Sequence, residues 1–473
     1  MAILKRQLHL WHRWLGIALG LLVLLWFGSG IVMMYVPYPS LTEQERQAWL
    51  APLEADTVRV TAWQAWQATG LPGAPQTVRL NSVAGRPAYH FQPEAKADGL
   101  VSVWADSGTV LRVDDALAAT HAASLRSIER IELDQWTFGS ISAHRPLHRV
   151  TVDDDAGTVL YISGRTGELV RDTTRSERAW NWAGSVIHWL YITPLREKSE
   201  TWRQVVMWTS GVAFALAVTG MVLGIQRLRL RRRYKGGRRS PYKGWQAWHH
   251  WLGLTAGTLT ITWLFSGWLS VTPFGWLQSP GITAQDRLAF AGGPLTQADL
   301  ELSVVPALHA TPGVLELEWR RVAGASYFAT LERHGRRLLE AGTGKSAALP
   351  EALLRQAAQT MRPGVPLKSA TMLESEDSYY YSHHNERSFP VLRVSFDTPE
   401  GATFYIDPLR GQLAGYADSN RQWRRWLFNG LHQFDFIRLR PAWDLLLITL
   451  NLLGALLSAT GAYLGWRRLV RPI

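Results

Sequence analysis

The chain alternates between long apolar stretches and longer polar ones. Four apolar stretches are long enough to cross a bilayer, at about 14–36, 204–226, 251–277 and 442–466. The first is longer than the apolar core of a signal peptide, so we expect a retained helix. The pattern divides the chain into an N-terminus with the first helix (1–36), a polar domain (37–203), a second helix (204–226), a basic loop (227–250), a third helix (251–277), a second polar domain (278–441) and a fourth helix with the C-terminus (442–473).

The two polar stretches are each large enough to fold as a domain. Near the end of each stretch, apolar residues alternate with polar ones around Asp and Gly turns, at 145–169 and again at 389–413. Alternation with a period of two, interrupted by such turns, predicts antiparallel hairpins. We therefore expect two α+β domains outside the membrane.

The chain also repeats itself. Trp-His-Arg-Trp-Leu-Gly at 11–16 returns as Trp-His-His-Trp-Leu-Gly at 248–253. The segment that ends in His188 is repeated as a segment that ends in His432. Residues 146–196 align with the second copy at a constant offset and without a gap. We interpret this as an internal duplication of helix, α+β domain and helix. Because both halves cross the membrane in the same direction, a pseudo-twofold axis along the membrane normal should relate them in a four-helix transmembrane bundle.

The net charge of +12 is informative because of where the basic residues lie in the chain. Basic residues without any acidic residue fill the segments beside the predicted spans: Lys5, Arg6, Arg13, Arg227, Arg229, Arg231, Arg232, Arg233, Lys235, Arg238, Arg239, Lys243, Arg467, Arg468 and Arg471. With four spans, all these segments lie on one side of the bilayer. The positive-inside rule then makes both termini cytoplasmic and the two domains extracytoplasmic. This charge orients the protein in the lipid bilayer and does not indicate nucleic-acid binding.

The chain has no cysteine. This excludes disulfides, thiolate catalysis, cysteine-ligated iron–sulfur clusters and covalent haem attachment through Cys-x-x-Cys-His. Redox chemistry would therefore require a non-covalently held cofactor with histidine, methionine or tyrosine ligands. The 24 tryptophans cluster near the span ends, where interfacial aromatic belts account for most of them.

Four repeated histidines at four helix ends are the strongest chemical signal. His12 and His249 are equivalent positions at the cytoplasmic ends of the first and third helices, and His188 and His432 lie on the outer side, before the second and fourth. Neutral imidazole is the usual axial ligand of haem iron. We expect His12 with His249 to hold one haem and His188 with His432 to hold another, which divides a bilayer core of about 30 Å into shorter electron-transfer steps.

Other interpretations of these residues remain open at this stage. His12 could pair with His188 within one half, and His9 or His250 could replace a neighbour as ligand. Histidines at a membrane interface also often meet only headgroups and water. Two further pairs of histidines, for which a surface role is favoured over a metal or ferric-chelate site, are His144 with His148 and His383 with His384. Two arginines, each eight residues after a candidate ligand, are candidates for haem propionate or headgroup contacts: Arg196 and Arg440.

These motifs together resemble a known family. The chain contains His-x-Trp-Leu-Gly at the first helix, Tyr-Ile-x-x-x-x-Gly at the end of a hairpin, the Leu-His element, and Thr219-Gly220 repeated as Thr460-Gly461. In this order and in duplicate, they resemble the PepSY-associated transmembrane family. The resemblance implies a bundle of four helices that binds two b-type haems in the inner membrane of a Gram-negative bacterium, as in the members that reduce ferric siderophores.

The resulting hypothesis is a transmembrane electron carrier that reduces a ferric siderophore or another ferric chelate in the periplasm. No nicotinamide or flavin fingerprint is visible, and Gly342-Thr343-Gly344-Lys345 lacks the spacing of a phosphate loop. The electron donor is therefore expected to be a separate cytoplasmic molecule or protein, or the quinone pool. The alternatives are a periplasmic PepSY-type module that binds or regulates peptidases and is anchored by four helices, or a transporter for a metal or chelate.

Overall fold

A computed structural model describes residues 2–94, 99–382 and 387–470. The chain divides into two compact units. The helical unit comprises Met1–Tyr38, Ser176–Gln278 and Asn420–Ile473, and the sheet unit comprises Pro39–Arg175 and Ser279–Ser419.

Sixteen α-helices occur among the described residues. They are α1 (Ala2–Met33), α2 (Glu43–Ala48), α3 (Ala62–Ala68), α4 (Asp115–Ala119), α5 (Arg175–Asn181), α6 (Ile187–Trp189), α7 (Thr193–Arg196), α8 (Ser199–Arg227), α9 (Gly244–Thr255), α10 (Gly257–Ser270), α11 (Ala284–Ala291), α12 (Gln297–Glu301), α13 (Val305–Ala310), α14 (Glu351–Met361), α15 (Ser419–Arg424) and α16 (Arg440–Val470). The strands are β1 (Thr77–Val83), β2 (Arg86–Gln92), β3 (Val101–Trp104), β4 (Leu125–Ile131), β5 (Leu147–Val152), β6 (Val159–Ser163), β7 (Leu169–Thr173), β8 (Glu316–Val322), β9 (Ala325–Glu332), β10 (Gly335–Glu340), β11 (Leu367–Leu373), β12 (Val391–Phe396), β13 (Thr403–Asp407) and β14 (Gln412–Ala417).

Three helices of the described chain are long and apolar enough to cross a membrane: Ile3–Met33, Ser199–Arg227 and Arg440–Val470. They correspond to the first, second and fourth predicted spans. The third prediction, a single helix over 251–277, is wrong as stated. That region is divided between α9 and α10, of 12 and 14 residues, and α10 ends at Ser270.

The interruption at Ala256 has a local cause. The hydroxyl of Thr255 donates to the carbonyl of Trp251 (3.0 Å), and such bonds to the preceding turn bend helices. Gly257 lies against α8, where a Cβ would come within 2.7 Å of Met221 Cε. Helical hydrogen bonding nevertheless runs across the bend, because the Ala256 N–H donates to Leu252 (2.7 Å). Helical hydrogen bonding therefore reaches Ala256 from α9 and continues from Ala256 into α10, where the Thr260 N–H donates to the Ala256 carbonyl (2.9 Å).

The helical unit packs α1 against α16 and α8, and α10 against α8 and α16. Its core contains Val23, Phe27, Ala213, Trp263, Leu264 and Leu447. Close approach is achieved by small residues: a Cβ at Gly20 would lie 3.5 Å from the backbone of Ala462. Such small-residue contacts are how helices associate where lipid tails are as apolar as the side chains.

The sheet unit contains three antiparallel sheets, two of four strands (β4-β5-β6-β7 and β11-β12-β13-β14) and one of six. The hairpins predicted at 145–169 and 389–413 are confirmed as β5-β6-β7 and β12-β13-β14. Helix α14 covers the β11–β14 sheet because Leu354, Ala357, Ala358 and Met361 recur at helical spacing and are buried in one core with Phe404.

The six-stranded sheet has the order β10-β9-β8-β1-β2-β3 and takes three strands from each polar stretch. Its central pair joins β1 to β8 with Leu80 opposite Leu317, both fully buried. The two polar stretches therefore share one compact unit, and our expectation of two separate extracytoplasmic α+β domains is corrected. The physical reason is that three strands from either stretch alone would leave the edge of β1 or β8 unpaired.

A buried ionic network crosses the β1–β8 junction. Arg79 donates to both carboxylate oxygens of Glu168 (3.1 and 2.9 Å) and to Glu316 (2.6 Å). Arg46 holds both oxygens of Glu316 at 3.0 Å, and Asn81 donates to both glutamates. The positive charges of the two arginines balance the negative charges of the two glutamates. No buried charge of the network therefore lacks a partner.

Replacing Glu316 by Gln is expected to destabilise the sheet unit. Arg46 and Arg79 would lose the carboxylate that they share, and breaking a buried ion pair costs about 3–5 kcal/mol. The urea midpoint of the full-length chain in detergent, followed by near-ultraviolet circular dichroism, measures this loss. The control is Arg86→Gln, which removes a more exposed ion pair with Asp106 and should cost about 0–1 kcal/mol.

The same network predicts a pH dependence. Burial acts to raise the pKa of Glu316, but Arg79 and Arg46 outweigh it and lower that pKa to about 2. An unfolded glutamate titrates near about 4.3, so the carboxylate stabilises the fold fully above that value and progressively less as pH falls toward 2. The difference in urea midpoint between wild type and E316Q should be constant from about pH 7 to 5 and shrink below about pH 4. A difference that grew on acidification would contradict this assignment.

Candidate functional site

All four predicted histidines lie in the helical unit. His12 is on α1 and His249 on α9. His188 and His432 each lie at the end of a π-helical segment, Trp182–Val186 followed by α6 in one case and Arg425–Gln433 in the other. π-Helical turns are rare and occur often at functional sites.

The segments that carry the outer histidines end in the same strained way. Leu190 and Phe434 adopt left-handed backbone conformations, with φ of 54° and 51°. A residue other than glycine pays about 1–2 kcal/mol for this conformation. The strain is retained at equivalent places, two residues after each histidine, which indicates that the local packing fixes where the two imidazoles point.

The histidines face each other in two pairs. The ring centroids of His12 and His249 are 6.2 Å apart, and those of His188 and His432 are 6.1 Å apart. Two imidazoles that bind one iron from opposite sides, each at about 2 Å, place their centroids about 6 Å apart. Both pairs therefore have the separation that a bis-histidine haem needs.

Hydrogen bonds determine the tautomer of one histidine in each pair. Nδ1 of His12 lies 3.2 Å from the carbonyl oxygen of Leu216, and Nδ1 of His188 lies 3.2 Å from that of Trp26. A carbonyl only accepts, so Nδ1 carries the hydrogen in both rings. In a neutral imidazole this leaves the lone pair on Nε2, which is the atom required for ligation.

The partners of these two histidines reach the same state through a hydroxyl. The Ser266 hydroxyl donates to the Trp263 carbonyl (3.0 Å) and so accepts from Nδ1 of His432 (3.0 Å). The Thr460 hydroxyl donates to the Leu457 carbonyl (2.7 Å) and accepts from Nδ1 of His249 (3.0 Å). Donation from the distal ring nitrogen to backbone or side-chain oxygen is the usual support for a metal-binding histidine.

The remaining ring nitrogens are left available. No described residue is hydrogen-bonded to Nε2 of His12, His188, His249 or His432. Burial lowers the pKa of His188 to about 4 and that of His432 to about 3, so both outer imidazoles are neutral at physiological pH. Each of the four imidazoles therefore has the unoccupied Nε2 atom that a bis-histidine site requires.

Each histidine also packs against a glycine. A Cβ at Gly220 would lie 2.5 Å from Cε1 of His12, and one at Gly461 would lie 3.1 Å from Cε1 of His249. At the outer pair the corresponding distances are 3.7 Å from Gly30 to His188 and 3.4 Å from Gly267 to His432. A Cβ at either inner glycine would therefore displace the ring, whereas a Cβ at Gly30 or Gly267 would be in ordinary van der Waals contact with it.

A cavity of about 1020 Å³ contains the inner pair. Its walls include eight glycines that form four repeated pairs: Gly16 with Gly253, Gly20 with Gly257, Gly220 with Gly461, and Gly224 with Gly465. The absence of side chains leaves a space of the size found for cofactor sites, which range up to about 1,000 Å³. The residues present thus fit a flat, apolar macrocycle ligated by His12 and His249.

Comparison with known proteins identifies the family of this chain. The family model described as PepSY-associated TM region matches residues 9–468, nearly the whole chain. The chain belongs to this PepSY-associated family. A comparison with curated proteins gives no match. Membership, together with the three long apolar helices, makes the chain a membrane protein.

Within this family member, the arginines proposed for propionates have other partners. Arg196 donates to Ser199 (2.9 Å) and lies over the ring of Trp202 at 4.7 Å. Arg440 pairs with Asp444 (3.0 Å), and its guanidinium lies over Trp443 at 4.7 Å. Both arginines therefore support the starts of α8 and α16, and this geometry does not favour a propionate role for either.

The alternative ligands are also engaged elsewhere. Nδ1 of His9 lies 2.7 Å from the Lys5 carbonyl and its Nε2 accepts from Arg227 (3.3 Å). Nε2 of His250 lies 2.9 Å from the Gly224 carbonyl. The structure thus gives neither histidine the free Nε2 that the four paired ones have.

The histidines of the sheet unit serve local contacts. Nδ1 of His144 lies 3.1 Å from the Ser163 hydroxyl, and Nδ1 of His148 lies 2.9 Å from an Asp115 oxygen. Across the described ranges, no three His, Cys, Asp or Glu side chains come together to hold a metal ion. The predictions for His383 and His384 concern positions outside the described residues.

Several site residues were missed by sequence reasoning. The hydroxyl and carbonyl partners of the outer histidines recur at the offset that separates His12 from His249, as Ser29 with Ser266 and Trp26 with Trp263. The glycines beside the inner histidines each follow a repeated threonine, in Thr219-Gly220 and Thr460-Gly461. A search for every residue that is repeated between the two halves would have found them.

Proposed function

We propose that this protein is a b-type dihaem electron carrier. His12 and His249 would hold one haem, and His188 and His432 the other. Each haem supplies a one-electron couple between iron(III) and iron(II). The observation that supports this most is that each pair presents two facing imidazoles at the separation that one iron requires, and that Nδ1 of every ring is engaged in a hydrogen bond.

The chain's own residues favour electron transfer over ligand binding. Two histidines per site close both axial positions and leave none for oxygen or substrate. Hydrogen bonds from Nδ1 to Leu216, Thr460, Trp26 and Ser266 hold the rings in place through a change of charge at the metal.

The spacing between the pairs suits a relay. Fourteen residues of α1 separate His12 from Trp26, whose carbonyl holds His188. At 1.5 Å per residue this is about 21 Å along the helix. Phe27 and Trp263 pack in the core of the helical unit, with ring centroids 5.6 Å apart.

The finer architecture is part of the same proposal. The four helical segments α1, α8, α9–α10 and α16 would form a transmembrane bundle of two duplicated halves. The repeated histidines, hydroxyls and glycines support it, as does the hydrogen bonding that continues through Ala256. The basic segments favour cytoplasmic termini and a periplasmic sheet unit in a bacterial inner membrane.

The proposed reaction is reduction of a ferric siderophore or another ferric chelate in the periplasm. One electron converts each bound iron(III) to iron(II), which oxygen-rich chelators hold less tightly, so iron is released without breaking a covalent bond. The electrons would come from a cytoplasmic donor or the quinone pool. This choice of substrate rests on the resemblance to the family.

The deciding experiment is the visible spectrum of the detergent-purified protein, oxidised and dithionite-reduced, with haem quantified per chain. Sharp α and β bands on reduction, at about two haems per chain, are expected. A colourless protein from haem-replete cells would reject the proposal. It would favour a PepSY binding module whose helices serve as anchors.

A further inference from the structure

The cavity around His12 and His249 has one strongly charged end. Among its lining residues are four basic side chains: Arg13, Lys243, Arg467 and Arg468. No aspartate or glutamate of the described chain lines the cavity. The cationic end of this apolar space therefore has no neutralising carboxylate among the described residues.

Within the described part of the chain, none of these four cations pairs with a carboxylate. Arg13 lies over the ring of Trp14 at 5.3 Å and Arg467 over that of Tyr463 at 5.8 Å. Both are contacts with aromatic faces, which attract a cation but leave its charge in place. Like charges that converge without a counter-ion destabilise each other, so an anion at this position would be bound favourably.

The helix dipole and the positive-inside rule explain only part of this cluster of cations. Arg467 and Arg468 lie in the last turn of α16, where cations suit the helix dipole. Lys243 directly precedes α9, at the end of the dipole where a cation is disfavoured. The positive-inside rule accounts for a basic cytoplasmic face but does not place these side chains around one cavity.

We propose that this cationic end binds the two propionate carboxylates of the haem held by His12 and His249. The inference rests on the proposed function and deepens it. A haem is apolar on one edge and carries two carboxylates on the other. The glycine walls and Val23 would receive the apolar edge, and Lys243, Arg467 and Arg468 would receive the carboxylates. Guanidinium groups suit this task because their paired N–H donors match a carboxylate.

The phosphates of anionic lipids offer similar oxygens, so the experiment must separate the two sources. Full-length apoprotein carrying His432→Ala, which retains only the inner pair, would be placed in nanodiscs with and without phosphatidylglycerol. It would be loaded with haem b or with haem dimethyl ester, whose propionates are uncharged. The rate of transfer to excess apomyoglobin, followed by the visible spectrum, measures how tightly each is held.

With the cations intact, the ester should leave about tenfold faster than haem b, because esterification removes the charge-assisted hydrogen bonds between the cations and the propionates. After Lys243→Gln, Arg467→Gln and Arg468→Gln, haem b and its ester should leave at the same rate. The matched control removes three cations that do not line the cavity, by Arg231→Gln, Arg232→Gln and Arg233→Gln, and should preserve the difference between haem b and its ester.

Two results would overturn the inference. One is an ester effect that persists undiminished in the triple variant, which places the carboxylates elsewhere. The other is a rate that depends on phosphatidylglycerol and not on esterification, which assigns the cations to lipid. A chain that takes up no haem at the intact inner pair would reject the proposed function itself, before any cation is changed.

Discussion

Alanine at any one of the four paired histidines should remove one haem and leave the other. Replacing His12 or His249 removes an axial ligand of the inner site, and replacing His188 or His432 does the same at the outer site. Haem content should fall from about two to about one per chain, because a single remaining imidazole binds far more weakly than a facing pair. Ferric-chelate reduction should be lost in each case, since an electron needs both sites.

Double variants test the pairing directly. H12A/H249A should retain about one haem, no less than either single variant, whereas H12A/H188A should retain none. His9→Ala is the matched control, because His9 lies on the same helix but has both ring nitrogens occupied. If H12A/H188A kept one haem, the ligands would pair within each half and the proposed arrangement would be wrong.

Gly220→Ala should empty the inner site without touching a ligand. The new Cβ would lie 2.5 Å from Cε1 of His12, inside the closest approach of two carbons, so the ring must leave its position. Overfilling a packed site commonly costs about 1–3 kcal/mol, and here the displaced group is the ligand itself. Haem content should fall to about one per chain.

Alanine at two other glycines tests whether the loss of haem follows the distance between the new Cβ and its nearest neighbour. Gly461→Ala, at 3.1 Å from His249, should have a smaller effect than Gly220→Ala. Gly28→Ala is the control, because a Cβ there would meet no described atom within 4 Å. Equal haem loss in all three variants would indicate a general effect of alanine in these helices and contradict the steric explanation.

Much of the site could be predicted because its signals are local. His12 and His249 lie in repeated motifs, and a histidine that recurs with its neighbours is visible without knowing any contact. The hairpins were visible for the same reason, since β5 to β7 alternate apolar and polar residues within a short stretch. The glycines beside the inner histidines carried an equally local signal, because each lies in a repeated Thr-Gly pair.

The errors concern an interruption within one predicted helix and a pairing between distant segments. The bend at Ala256 depends on Thr255 bonding back to the preceding turn and on Gly257 meeting Met221, which an apolar sequence does not indicate. The six-stranded sheet depends on β1 pairing with β8, and these strands belong to different polar stretches of the chain. Strand pairing between such distant segments has no periodicity of its own, so each polar stretch was expected to fold alone.

The arginines show a different limit. Arg196 and Arg440 follow the candidate ligands at equal spacing, which suggested a shared role toward the cofactor. Each guanidinium lies over an aromatic ring, that of Arg196 over Trp202 of α8 and that of Arg440 over Trp443 of the same helix, and a role toward the cofactor stays a prediction. Equal spacing from the histidines indicates that the two arginines have similar surroundings. It does not predict which neighbouring group a long side chain contacts.

The pairing of Leu80 with Leu317 has a consequence for how the halves recognise each other. Arg79 and Glu316 are related by the same offset as His12 and His249, yet one is basic and the other acidic. If β8 paired with a second β8 in this register, Glu316 would lie opposite Glu318, and two carboxylates would face each other where Arg79 now lies opposite Glu318. Pairing of β8 with β1 is therefore favoured over pairing of β8 with another β8. Expressed as two separate chains, the halves should form a heterodimer in preference to either homodimer.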